Sequence, residues 1–192
     1  MSNVTRTAAR IAAGDERTTY DRFSITLHWL TAVLVLTQFM LAQVWDSTPR
    51  PTRHVLIVAH MSFGILLTVV LIARIVWRLS PGHQKPPDKA GWVERAAETV
   101  HFALYVLLVS EAVLGFILRW SGNESMSFFG LQVPPPFSPF GKPARRSLGE
   151  LHDLTGWTII VLAACHAAAA LFHHFLVRDD VLARMLPGIR RR

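Results

Sequence analysis

The sequence predicts an all-α integral membrane protein, a bundle of four transmembrane helices with both chain termini in the cytoplasm. Two observations support this prediction: four long stretches almost free of charge, and an excess of basic residues on one side of them. Of the 192 residues, 51% are hydrophobic and only 17% are charged, whereas ordinary soluble domains have about 25% charged residues. The charged residues therefore lie mainly outside a few apolar segments.

The four apolar stretches each have the length of a membrane span. They cover 25–45, 54–73, 99–118 and 155–177. A helix of about 20 apolar residues crosses roughly 30 Å of hydrocarbon. Shorter apolar runs occur in the cores of soluble proteins, but four of full length indicate a chain that crosses a membrane four times.

The basic residues predict the orientation of these spans. The N-terminal segment, the second loop and the C-terminal segment carry four, five and five Lys or Arg, whereas the first and third loops carry two and four. The more basic side of a membrane protein faces the cytoplasm. We therefore expect a multi-pass membrane protein with both termini in the cytoplasm. The net charge of +7 indicates contact with anionic lipid rather than with nucleic acid.

The chain divides into a polar N-terminal extension (1–20), one four-helix domain (21–187) and a basic tail (188–192). The extension has no secretory signal, because its polar residues precede the first apolar run. In the second loop, Pro81, Gly82, Pro86 and Pro87 predict an irregular first half, with the third helix starting near Gly91. The third loop, 121–150, contains several prolines that disfavour a long helix, so we expect an ordered cap there.

Four histidines carry the chemistry of the predicted bundle. His28 and His166 lie towards the cytoplasmic side of their spans, whereas His60 and His152 lie towards the external side. Between His152 and His166 the helix rises about 21 Å and makes nearly four turns, so both rings point in nearly the same direction. One helix thus offers two ligands on one face, each facing a histidine at its own depth.

Two level-matched pairs of histidines are typical of haem ligation. Neutral imidazole binds iron well, and two axial histidines leave no open position, which favours electron transfer. A single histidine in a membrane helix often only hydrogen-bonds a neighbour. Zinc usually takes a compact cluster of four ligands. The single cysteine, Cys165, and the lack of a Cys-x-x-Cys-His motif exclude the usual covalent attachment of haem.

A His-x-x-x-Gly spacing occurs twice, in His60–Gly64 and in His152–Gly156. Residues four apart share a helix face, so each glycine removes a side chain beside its histidine. A flat macrocycle could then lie close to the backbone, and Gly115 could serve the same purpose. Glycine also mediates ordinary helix packing in membranes.

A set of short segments, which includes all four histidine positions, carries a family likeness: Ser24-Ile-Thr-Leu-His28-Trp-Leu30, His60-Met-Ser-Phe-Gly64, Phe129-Gly-Leu131, His152 with Gly156, His166-Ala-Ala-Ala-Ala-Leu-Phe-His173-His174 and Met185-Leu-Pro187. These segments resemble the bacterial cytochrome b561 family, which is similar in fold to the membrane cytochrome b subunits of nickel–iron hydrogenases. The resemblance covers residues 20–187.

The resemblance implies two haem b groups, with His28 pairing with His166 and His60 with His152. It also implies ubiquinone as a redox partner and, on the likeness to stand-alone members, superoxide as the periplasmic electron donor. The alternative is a membrane-anchoring cytochrome b subunit that takes electrons from a soluble dehydrogenase or hydrogenase. A haem-free transporter or scaffold is a third interpretation, which a colourless pure protein would support.

Other polar residues of the spans are secondary candidates. His101 could bond a haem propionate, and His173 a propionate or a quinone carbonyl; both could equally be interfacial histidines, as we expect for His174. Glu111 lies in the middle of a span, where a carboxylate is costly. It could be neutral and hydrogen-bonded to Ser110 or to a neighbouring helix, or it could relay protons.

A basic patch precedes the fourth span and consists of Lys142, Arg145 and Arg146. Such a field could steer a small anionic reductant such as superoxide towards the external haem, and Arg53 could contribute to it. A loop with chance positive charge is the simpler interpretation.

Overall fold

The computed structural model describes residues 20–81, 91–179 and 181–186. Its four long helices are α1 Arg22–Val44, α2 Arg50–Leu79, α3 Trp92–Ser121 and α4 Lys142–Phe172. All four are long and apolar enough to cross a membrane, so the predicted four-helix membrane fold is confirmed. The polar extension, the proline-rich half of the second loop and the basic tail lie outside the described residues.

The helices begin where local chemistry favours a helix start. The Asp21 carboxylate caps α1 by accepting a hydrogen bond from the Ser24 amide at 2.9 Å, which satisfies one of the free N–H groups of the first turn. Helix α2 has proline in its first turn, where the missing N–H costs nothing. Helix α3 follows Gly91, as the sequence predicted.

The third loop is shorter than predicted, because α4 begins at Lys142 instead of near residue 150. The difference arises at Pro143, because proline disfavours the interior of a helix. Pro143 lies in the first turn of α4, the one helical position where proline is well tolerated. The basic residues of this segment therefore lie on a helix and not on a loop.

A short β-hairpin covers one end of the bundle. Strands β1 Met126–Phe128 and β2 Leu131–Val133 pair antiparallel, and Phe129 and Gly130 turn between them with φ of 46° and 97°. The buried hydroxyl of Ser62 on α2 accepts a hydrogen bond from the Phe129 amide at 3.0 Å. We call this end of the molecule the hairpin face; it is the ordered cap that the sequence predicted.

The described ends of the chain lie at the opposite end of the bundle, which we call the terminal face. The Trp77 indole donates to the Asp21 carboxylate at 3.3 Å, and the Trp29 indole donates to the Met185 carbonyl at 3.0 Å. Helix α4 reaches this face through a π-helical turn, His173–Val177. Both ends on one face is what an even number of spans requires.

The four helices pack as two closely associated pairs. Helices α1 and α2 contact each other along their length, around a core of Leu27, Leu34 and Val70. Helices α3 and α4 form the second extended contact, whereas α1 touches α4 and α2 touches α3 at few points. The bundle therefore has a seam between its two pairs, and we call it the central seam.

Candidate functional site

The four predicted histidines meet in two pairs across the central seam. The ring centroids of His28 and His166 are 6.4 Å apart, and those of His60 and His152 are also 6.4 Å apart. The first pair lies towards the terminal face and the second towards the hairpin face. Helix α4 supplies one histidine to each pair, as the helical rise between His152 and His166 predicted.

This separation fits two axial ligands of one haem iron. Metal–imidazole bonds of about 2 Å, with about 1 Å more to each ring centre, place the two centroids roughly 6 Å apart. The two rings of each pair lie edge to face, with interplanar angles of 76° and 83°. The ligand atoms also suit a haem iron, because each site offers two imidazoles. The two imidazoles of a site belong to helices on opposite sides of the seam.

The described part of the chain offers no competing metal cluster: no three His, Cys, Asp or Glu side chains in it come together as a metal site. The four histidines lie in two pairs and not in one cluster. The ligand roles themselves remain a prediction.

On the hairpin side, both ring Nδ1 atoms face oxygen atoms. Nδ1 of His60 lies 3.2 Å from the Gln38 carbonyl, and Nδ1 of His152 lies 3.2 Å from the Glu111 carboxylate. The second pair is close enough for a hydrogen bond but is not aligned for one. A proton held on Nδ1 leaves Nε2 as the metal ligand, and such partners orient the ring and raise its basicity.

On the terminal side, the partner of Nδ1 is a cation. Arg74 Nη2 lies 3.0 Å from Nδ1 of His28, and its guanidinium also lies over the Tyr105 ring at 5.2 Å. A guanidinium can only donate. An imidazole that binds iron through Nε2 keeps its proton on Nδ1, so Arg74 has to turn from that atom when His28 holds a metal.

The three glycines make room for polar side chains of the adjacent helix within each helix pair. A Cβ on Gly64 would come within 2.7 Å of the Gln38 amide nitrogen, and one on Gly156 within 3.2 Å of a Glu111 oxygen. A Cβ on Gly115 would lie 3.4 Å from the His152 ring. Close approach at these glycines is therefore observed between helices, and their contact with a haem remains a prediction.

The secondary histidines lie in the terminal half of the bundle. The His101 ring is 4.9 Å from the His166 ring, edge to face, so it lies directly against a candidate ligand. Nδ1 of His173 is 2.6 Å from the Asp179 carboxylate, which engages one of its two ring nitrogens. The His174 ring contacts Phe175 at 4.9 Å.

The predicted basic patch occupies the first turns of α4. Two of its three residues form ion pairs. The Arg145 guanidinium lies 3.9 Å from the Glu124 carboxylate, and the Arg146 guanidinium lies 2.8 Å from the Glu150 carboxylate. Arg53 likewise pairs with Asp46, at 2.7 Å. These contacts weaken the positive field there, and steering of an anion by this patch stays a prediction.

Sequence reasoning missed Arg74 and Gln38 as site residues. Arg74 directly follows the predicted second span, which ends at residue 73, and so falls among the five basic residues of the second loop. The signal that could have identified it is depth: α2 continues to Leu79, so a cation at residue 74 is still inside the helix. Gln38 acts through its backbone carbonyl and through its contact with Gly64, which no sequence pattern reveals.

Comparison with known proteins agrees with this architecture. The prokaryotic cytochrome b561 family model matches residues 19–188. Cytochrome b561 homolog 2 of Escherichia coli is 34% identical over 87% of this chain and 90% of its own length. Cytochrome b561 homolog 1 of the same organism is 29% identical over 88% and 97%.

A third relative, named probable superoxide oxidase CybB, of Yersinia pestis, is 26% identical over 89% of this chain and 97% of its own length. The matches span nearly all of the helical domain, including both histidine pairs. The chain belongs to the prokaryotic cytochrome b561 family and is a membrane haem cytochrome of electron transport.

Proposed function

We propose that this chain carries electrons through two haem b groups, from a donor at the hairpin face to ubiquinone at the terminal side. One observation carries the proposal: two histidine pairs of equal separation, 6.4 Å between centroids, lie at two depths of the same seam. Helix α4 contributes one histidine to each pair. Two sites at two depths provide a route for electrons across the membrane that a single site does not.

In this proposal the protein supplies position and environment. His28 with His166, and His60 with His152, would hold the two irons, while the apolar helices exclude water from the seam. Bound haem iron would supply a reversible one-electron change. Two histidine ligands for each iron would leave no position for oxygen, which favours electron transfer.

The orientation follows from the charge distribution. The described chain ends lie at the terminal face, and the sequence beyond them is basic. We therefore assign this face to the cytoplasm of a bacterial inner membrane, and the hairpin face to the periplasm. An external donor then meets the His60–His152 site first.

We propose superoxide as the donor. A relative that is 26% identical over nearly its whole length is named a probable superoxide oxidase. Lys142, exposed at the hairpin face, would attract a small anion. In the net reaction two superoxide ions each lose one electron and leave as O₂, while ubiquinone gains both electrons and two protons to become ubiquinol.

The polar groups of the terminal half support a quinone contact there. Arg74 and His101 lie beside the His28–His166 pair. A guanidinium that turns from Nδ1 of His28 can donate to an anionic haem edge or to a quinone carbonyl. His173, further along α4, offers its remaining ring nitrogen to either group.

The test is an assay of the purified single chain with a superoxide source and a short-chain ubiquinone. We expect superoxide to disappear and ubiquinol to form at a ratio of two to one. The matched controls are His152→Ala, which should abolish the reaction, and His174→Ala, which should not. A wild-type chain that is inert with superoxide but reduced by a soluble dehydrogenase would contradict this donor and support the alternative, an anchoring subunit.

A further inference from the structure

The two histidine pairs differ in the charge of the group beside them. A carboxylate, Glu111, lies beside the hairpin-side pair, 3.2 Å from Nδ1 of His152. A guanidinium, Arg74, lies beside the terminal-side pair, 3.0 Å from Nδ1 of His28. Both groups belong to transmembrane helices, where a fixed charge is costly and has weak solvent screening.

The position of Glu111 is supported by two residues of the neighbouring helix α4. Its second oxygen, Oε2, and Nδ1 of His152 are buried without hydrogen-bond partners. Gly156, one turn beyond His152, leaves the space that Oε1 occupies, since a Cβ there would lie 3.2 Å away. At this distance a small turn of either side chain aligns the carboxylate with the Nδ1 proton.

A carboxylate acceptor changes the ligand as well as orienting it. By drawing the Nδ1 proton, it makes the imidazole a stronger electron donor through Nε2. A more electron-rich ligand and a nearby negative charge both stabilise the oxidised metal. The guanidinium of Arg74 has the opposite effect on the other site, whether it faces His28 or an anionic edge of the cofactor.

We propose that Glu111 is a positioning residue for His152 that makes the hairpin-side site the lower-potential one of the two. This inference rests on the proposed di-haem function and gives it a direction. Electron transfer from the hairpin-side site to the terminal-side site would then be favourable, because the second site has the higher reduction potential. Transfer in the opposite direction would be unfavourable.

The experiment is a potentiometric titration of the purified haem-loaded protein, followed by the absorption of its reduced form. Wild type should show two midpoint potentials. In Glu111→Gln, which keeps the shape and loses the charge, the lower potential should rise. We expect at least a tenfold change in that site's reduction equilibrium, about 59 mV for one electron, with a smaller change at the other site.

Two further variants sharpen the result. Glu111→Asp should recover part of the shift, and Glu150→Gln is the matched control, because it removes a carboxylate from α4 that pairs with Arg146 at the surface and should leave both potentials unchanged. Should the Gln variant keep only one haem, the Asp variant gives the comparison.

The outcomes are distinct. Two unchanged potentials in Glu111→Gln, or movement of the higher one alone, would overturn the inference and leave the di-haem proposal standing. A wild-type protein without haem would overturn both.

Discussion

At the scale of single residues, the chemistry of this protein depends on what faces Nδ1 of each histidine. Any imidazole can bind iron, but the partner of its second nitrogen fixes the tautomer and the ring direction. Here those partners are a backbone carbonyl, a carboxylate and a guanidinium. The two histidine pairs therefore offer the same type of side chain in different surroundings.

Arg74 should matter for delivery of electrons to quinone. We expect Arg74→Leu to keep two haems per chain and to lower the rate of ubiquinone reduction about tenfold, because a charge-assisted hydrogen bond contributes about 1.5–3 kcal/mol. Steady-state kinetics at varied quinone concentration measures this. Arg78→Leu, one turn further and exposed, is the matched control; equal losses in both variants would count against a specific role.

Lys142 should steer the anionic donor. Lys142→Gln is expected to lower the superoxide rate severalfold at low ionic strength, and the difference should vanish near 0.5 M salt, where screening is strong (Debye length well below about 8 Å). Stopped-flow reduction at two salt concentrations measures it. Arg146→Gln should have less effect, because Glu150 already balances that charge. A salt-independent loss would point to a structural cause instead.

At the scale of elements, hydropathy and helical rise were enough to predict four helices and two histidine pairs. The turn and rise of an α-helix fix how the His152 and His166 rings are placed relative to each other, in direction and in depth, however the helices pack. The start of α4 was missed because Pro143 is a helix breaker in the interior and a helix starter in the first turn. The partners Arg74 and Gln38 come from neighbouring helices, and no local pattern encodes which faces meet.

A buried hydroxyl of α2 helps to hold the hairpin against the bundle. Ser62 accepts from the Phe129 amide at 3.0 Å and lies 3.3 Å from the Ser127 carbonyl. Its exposed fraction is only 1%. Ser62→Ala should leave that buried amide unpaired, which costs about 1–3 kcal/mol. Faster hydrogen exchange in 126–133 would show it.

The matched control for this hairpin prediction is Ser47→Ala. Ser47 is exposed and bonds only within its own turn, to the Val44 carbonyl at 2.7 Å. Unaltered exchange of 126–133 in Ser62→Ala would mean that the strands hold the hairpin without this contact.

At the scale of the whole molecule, the seam between the two helix pairs explains how a bundle of only four helices can hold the two proposed haem groups. A tightly packed four-helix bundle buries its central side chains against one another. In this protein α1 packs on α2 and α3 on α4, and few contacts close the space between the pairs. The histidines bridge that space at two depths.

The orientation of the molecule has its own test. Fused at the C-terminus, green fluorescent protein should fluoresce and alkaline phosphatase should be inactive, because the positive-inside rule places this end in the cytoplasm. A phosphatase inserted after residue 137 in the third loop should be active. The reverse pattern would exchange the donor and quinone faces.

The most direct test of the account is the haem content of the purified protein, measured per chain by the pyridine haemochrome method. Wild type should contain two haem b groups. His152→Ala and His166→Ala should each contain one, and the double variant none, because each removes a ligand from a different site. Unchanged haem content in either single variant, or one haem in wild type with no second site to load, would contradict it.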